Sequence, residues 1–202
     1  MARDRKTILD FRSPAGPKVV EVRSTLITSS LTTLKDFGLY ERYLELVPSE
    51  HRERILGQIA PEWMPIEVGL AHYGACDALG LSDHELERIG EAVSGRLMGT
   101  YLGTLVRSSR NVGASPWIPL QQFDKIWGRI LNGGTPLVEE TGPKDAIVTT
   151  SGCPLFAQRY FRVAYTGVVR GSLLLFSKTV LAKTARPNAS DPNTVQVTLS
   201  WV

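Results

Sequence analysis

Apolar positions recur every three or four residues up to about residue 131, and every second residue in much of the chain beyond it. In residues 24–37, Leu26, Ile27, Leu31, Leu34 and Phe37 fall at helical spacing, and Gly38 ends the run. A short helix is predicted over 40–46. Another starts at Pro48-Ser49-Glu50 and runs to 59, where Pro61 stops it. Residues 65–79 read as a helix closed by Gly80. Ser82 and Glu85 then form a capping-box pattern at the head of the longest helix, which runs to about 108. A further helix over 116–131 ends at Asn132-Gly133-Gly134. The period then changes to that of strands, at 136–141 and 146–150, with a hairpin signal at 142–145 between them. Pro154 opens a helix to about 175, followed by strands at 176–184 and 194–201. Residues 19–23 alternate like a short strand. Residues 1–18, broken by Pro14 and Pro17, read as an extended arm before a single domain at 19–202.

Helices followed by strands predict an α+β fold: an N-terminal helical bundle packed on a C-terminal four-stranded antiparallel sheet of ββαββ order. At 43% hydrophobic and 21% charged, the chain has the composition of a globular domain. The formal charge of +3 is unevenly placed: from residue 143 onward seven bases face two acids. Arg159, Arg162 and Arg170 share one side of the helix after Pro154, which reads as the solvent face of an amphipathic helix. No basic–aromatic interleaving supports nucleic-acid binding. Two cysteines, Cys76 and Cys153, exclude a disulfide framework. The first residues carry charges with no apolar run behind them, and no window is long and apolar enough for a membrane span, so a cytoplasmic protein is expected.

Glycines stand out on the helices. Gly95, Gly99 and Gly103 share one face of the longest helix, and Gly167 and Gly171 lie on the helix after Pro154. Each costs about 1 kcal/mol against alanine in a helix interior, so close approach of another backbone, or room for a flat apolar ligand, has to offset the cost.

Catalytic signatures are missing. There is no nucleophile elbow, phosphate loop or metal-binding histidine motif. His72 and Cys76 share a helix face, but only Cys153 remains as a third soft ligand, so His72 reads as a core or pocket-lining residue and no metal site is expected.

The run from Asp124 to Thr135, the hairpin, the helix through Phe161 and the ending at Trp201 resemble a paralogous family of uncharacterised proteins abundant in myxobacteria. That family is similar in layout to haem-nitric-oxide-binding (H-NOX) domains, 4-vinyl-reductase domains and the small subunits of the TRAPP vesicle-tethering complex. The resemblance implies helices on a four-stranded antiparallel sheet, an apolar pocket and dimer formation. Haem-binding members carry a proximal histidine on the helix before the hairpin; here Phe123, Ile126 and Trp127 occupy its apolar positions, and the Tyr-x-Ser-x-Arg signature is missing. The expectation is therefore no cofactor, with haem set aside. Cys153 alone cannot build the zinc site of the reductases, while Cys76 is a candidate for the acyl-carrying cysteine of the tethering subunits. The leading expectation is a non-catalytic module of a bacterial protein that binds a small apolar ligand or serves a sensory role, with His72, Cys76, Met98, Tyr101, Trp127 and Phe161 lining its pocket. The alternatives are a ligand-free scaffold dimer or other protein-interaction module, and an enzyme acting on an aromatic or tetrapyrrole substrate.

Overall fold

The computed structural model describes residues 17–58, 61–109, 115–184 and 191–202, with the backbone alone over 97–109. The extended arm predicted at 1–18 lies almost wholly outside these residues.

Strand β1 (Glu21–Arg23) leads into helices α1 (Ser24–Asp36), α2 (Tyr40–Leu46) and α3 (Ser49–Leu56). Helix α1 buries Leu26, Ile27, Ser30, Thr33 and Leu34. It ends because Gly38 takes φ +69, which turns the chain so that Leu39 N–H reaches Leu34 O at 2.8 Å and Gly38 N–H reaches Lys35 O at 3.0 Å. Strand β2 (Trp63–Pro65) enters α4 (Ile66–Asp77), and the long helix α5 (Asp83–Ser109) follows. The predicted capping box is formed. Glu85 Oε2 accepts from Ser82 N–H at 2.8 Å and from Ser82 Oγ–H at 2.7 Å, and Ser82 Oγ accepts from Glu85 N–H at 3.4 Å. Ser82→Ala is expected to lower stability by about 1 kcal/mol, read as a shifted urea midpoint, while Ser82→Asp retains most of it.

The helix expected over 116–131 is instead two short helices, α6 (Trp117–Gln121) and α7 (Phe123–Trp127), followed by strand β3 (Leu131–Asn132). Gln122 leaves helical geometry at φ −107 and ψ 11, and its N–H bonds Pro119 O at 3.2 Å to close the first turn. The break lets Leu120, Phe123, Ile126 and Trp127 all face inward. Strand β3 joins β1 and β2 in a three-stranded antiparallel sheet of order β2-β1-β3, of which the sequence pattern announces only β1, within residues 19–23.

The second sheet holds β4 (Thr135–Gly142), β5 (Asp145–Ser151), β6 (Val180–Thr184) and β7 (Val195–Trp201) in the antiparallel order β4-β5-β7-β6. Its register pairs Val148 with Val197, Ala146 with Leu199 and Val180 with Trp201, so one face is continuously apolar. A 3-10 turn, Pro154–Ala157, leads into α8 (Arg159–Leu173), which lies on that face. With α5 on its other side, α8 forms the middle of a helix–helix–sheet stack. This is the α+β architecture expected, with one addition, the small sheet.

Two helix expectations change. Helix α8 is buried around most of its circumference, so its arginines do not form a solvent face. Arg159 donates to Leu81 O at 2.8 Å and pairs with Asp83. Arg162 donates to Phe156 O at 2.6 Å. Arg170 donates to Val180 O at 3.0 Å and pairs with Glu91. The long stems cross apolar surface while the heads satisfy carbonyls at its rim. The close helix crossing also uses a different glycine of α5. A Cβ on Gly90 would lie 1.9 Å from Ala164 O, and one on Gly167 would lie 2.1 Å from Glu87 O. Gly95 meets nothing within 4 Å, and the surroundings of Gly99 and Gly103 lie outside the described side chains.

Candidate functional site

Where α7 and α1 meet the α5–α8 crossing, the packing leaves a chamber of about 50 Å³. Its wall joins aliphatic side chains with six aromatic ones: Tyr73 from α4, Phe123 and Trp127 from α7, and Tyr160, Phe161 and Tyr165 from α8. The α8 contribution follows from helical spacing, because Phe161 and Tyr165 stand one turn apart on one face. The rings hold one another edge to face. Tyr73 and Phe161 have centroids 4.7 Å apart, and Trp127 meets Tyr165 at 6.1 Å and 88°. Trp127 is fixed by donating its indole N–H to Gly133 O at 2.8 Å, and Tyr165 shares a 2.8 Å hydrogen bond with Thr150 of β5. Among the described residues, no charged side chain lines the chamber. A cavity of about 150 Å³ is what benzene requires, so the chamber as packed admits only a very small molecule, and a larger one must displace side chains.

Trp127 and Phe161 are therefore on the chamber wall, whereas His72 and Cys76 stand outside it. The side chains of Met98 and Tyr101 lie outside the described residues. Sequence reasoning missed Tyr73, Phe123, Tyr160 and Tyr165 as wall residues. The signal available was the aromatic i, i+4 pair on α8.

His72 belongs to a buried polar cluster adjoining Tyr73. It is 0% exposed, and both ring nitrogens are engaged: Nδ1 with the Tyr43 hydroxyl at 2.7 Å and Nε2 with Ser30 Oγ at 3.0 Å. Cys76 Sγ lies 3.8 Å from Nε2. Burial lowers the His72 pKa to about 3, so the ring is neutral, with one nitrogen donating and the other accepting. Burial likewise pushes the Cys76 thiol upward and the Cys153 thiol to about 12, which leaves both unreactive as nucleophiles. Among the described residues, no group of three or more His, Cys, Asp or Glu side chains could hold a metal ion. The Tyr160 hydroxyl is buried without a partner of ordinary hydrogen-bond geometry, although Ser30 and Cys76 are close enough to act on its ionisation.

No protein-family model matches the chain, and no curated protein matches it significantly. Solved structures do. An Fe(II) unliganded H-NOX protein from K. algicida is similar with a TM-score of 0.65 and 15% identity, over 89% of this chain and 96% of that one. An oxygen-binding H-NOX domain related to soluble guanylate cyclases matches with a TM-score of 0.60 and 10% identity, over 88% and 94%. A structure described through haem redox potential and porphyrin distortion matches with a TM-score of 0.58 and 12% identity, over 89% and 99%.

The expectation of no cofactor, with haem set aside, is corrected by these neighbours, whose descriptions point toward haem. A missing histidine on one helix is too narrow a ground for exclusion, because apolar and aromatic contact supplies much of the hold on a flat macrocycle and an iron ligand can come from another element. Among the described residues no helix is long and apolar enough to cross a membrane. Fold and neighbours together establish that this chain has the H-NOX-like layout, helices stacked on a four-stranded antiparallel sheet, at identities that carry the fold alone.

Proposed function

We propose that this chain is a ligand-binding, sensor-like module whose site is the aromatic chamber between α1, α4, α5, α7 and α8. The observation that carries this reading is the chamber itself: a void at the junction of the helical layer with α8 that, among the described residues, is apolar and lined by no charged side chain. A well-formed apolar pocket with few polar groups is the usual form of a small-molecule site. Haem is the first occupant to test, on the strength of the neighbours' descriptions. The residues as packed do not fit it, since the chamber measures about 50 Å³ and both nitrogens of His72 are already bonded. Entry of a macrocycle requires Phe161, Trp127 or the whole of α7 to withdraw.

The test combines native mass spectrometry and absorption spectroscopy of the purified protein with a hemin titration, using Val168→Phe to fill the chamber. One small molecule per chain, or a Soret band that saturates at one hemin per chain, is expected in the natural chain, with at least about tenfold weaker binding in Val168→Phe. Equal hemin binding by both proteins would move the site elsewhere. No bound molecule and no hemin binding in either would overturn the sensor reading.

A further inference from the structure

We infer that the chamber selects a compact apolar molecule that carries no hydrogen-bonding group, a small hydrocarbon in chemical class. The inference rests on the chamber being the ligand site. Among the described residues, five on its wall bear polar side-chain atoms: Ser30, Tyr73, Trp127, Tyr160 and Tyr165. Even so, these residues and their neighbours present almost no polar surface to the chamber. They turn carbon inward and hold their polar ends behind it.

Three of those ends are tied to partners off the wall. Ser30 Oγ meets His72 Nε2 at 3.0 Å, Trp127 donates to Gly133 O at 2.8 Å, and Tyr165 shares a 2.8 Å hydrogen bond with Thr150. The Tyr160 hydroxyl is sealed in the packing with almost no accessible surface. Tyr73 sets its ring edge to face against Phe161 at 4.7 Å and His72 at 4.6 Å. Burial raises the Tyr73 pKa, and so do Cys76, Tyr43 and Cys153, which lie near its hydroxyl and off the wall. A donor or acceptor entering the chamber therefore gives up water and finds no partner, and an ion loses far more. Water is a poor competitor for the same reason, since a buried water takes about two to four polar partners. An apolar molecule gives up no hydrogen bond and gains contact with Leu26, Ile89, Val93 and the rings. Size narrows the class further. A chamber of about 50 Å³, one third of what benzene requires, holds about two heavy atoms as packed.

Ethane and methanol separate these properties, because they are near-isosteric and differ by one hydroxyl. Each is titrated into the natural chain, ethane under pressure, with binding read from NMR shifts of the methyl groups of Leu26, Ile89 and Val93 in the chamber. Val148 and Val197, in the sheet and off the wall, serve as controls. Ethane is expected to shift the chamber methyls saturably and leave the controls in place, and methanol to bind there at least about tenfold more weakly, because its hydroxyl is buried unpaired. Methanol that shifts the chamber methyls at the same concentrations as ethane, or at lower ones, would overturn this inference and leave the chamber as a site, since the wall would then offer a hydrogen bond. Failure of both probes to shift the chamber methyls would instead remove the chamber as a site, and the inference with it.

Discussion

Gly90→Ala should lower stability by about 3 kcal/mol or abolish folding, although alanine is the better helix former by about 1 kcal/mol. At Gly90 the built Cβ lies 1.9 Å from Ala164 O, and the reciprocal contact at Gly167 places one 2.1 Å from Glu87 O. Both obstacles are backbone, so no side-chain rotation relieves them. The helices must separate, and separation strips Ile89, Val93, Ala164 and Val168 of contacts at the centre of the stack. Gly90 also borders the chamber, so the change reaches the proposed site. Gly95→Ala on the same helix is the control. Nothing lies within 4 Å of its built Cβ, so that variant should gain up to about 1 kcal/mol. Urea unfolding followed by far-ultraviolet circular dichroism decides. Equal midpoints for Gly90→Ala and the natural chain would mean that the two helices do not cross this closely.

Acidification from pH 7.5 to pH 5 should cost the protein about 2 kcal/mol through His72 alone. The sign depends on where the proton binds. In the folded chain burial holds the His72 pKa near 3, so the ring stays neutral across this interval. In the unfolded chain it titrates near the ordinary value of 6.5. Below that value the unfolded state gains a proton that the folded state refuses. Stability is therefore complete above about 6.5 and falls steadily as the pH drops toward 3. Glu85 acts with the same sign, because its hydrogen bonds from Ser82 hold its folded-state carboxyl below the ordinary value of 4.5, but that loss develops only as the pH falls through this ordinary value and so adds little above pH 5. The check is a set of urea unfolding curves at several pH values for the natural chain and His72→Gln. The variant starts less stable, having lost part of the Tyr43–His72–Ser30 network, but its stability should vary much less with pH over this interval. An unchanged slope in His72→Gln would show that His72 is not buried as a neutral ring.

Features set by neighbours in sequence were legible in advance. The Ser82–Glu85 capping box, the hairpin at 142–145 and the alternation in β5 and β7 depend on residues a few positions apart. Of the three-stranded sheet only β1 was legible, in the alternation of residues 19–23; β2 and β3 and the pairing were not, because strands of two or three residues show almost no period and their partners can lie far away in the chain, as Asn132 lies 111 positions from Glu21. The Arg159, Arg162 and Arg170 stripe misled because a charged helix face looks solvent-exposed until the carbonyls it serves are in place. On the chamber wall, Trp127 and Phe161 could be picked out as aromatics on inward-facing positions. His72 could be recognised as buried but not as fully engaged by Tyr43 and Ser30, two residues on other helices.

From the sequence alone come the order of elements, the α+β class and the expectation that glycine-bearing helices either approach closely or leave room for a ligand. These arise from periodicity and from local conformational cost, which any stretch of chain carries by itself. Which glycines meet and where a void is left are properties of surfaces brought together from distant segments. Gly90 against Ala164, and His72 between Tyr43 and Ser30, acquire their meaning only when α1, α2, α4, α5 and α8 are packed, because close contact and desolvation exist between elements and not within them.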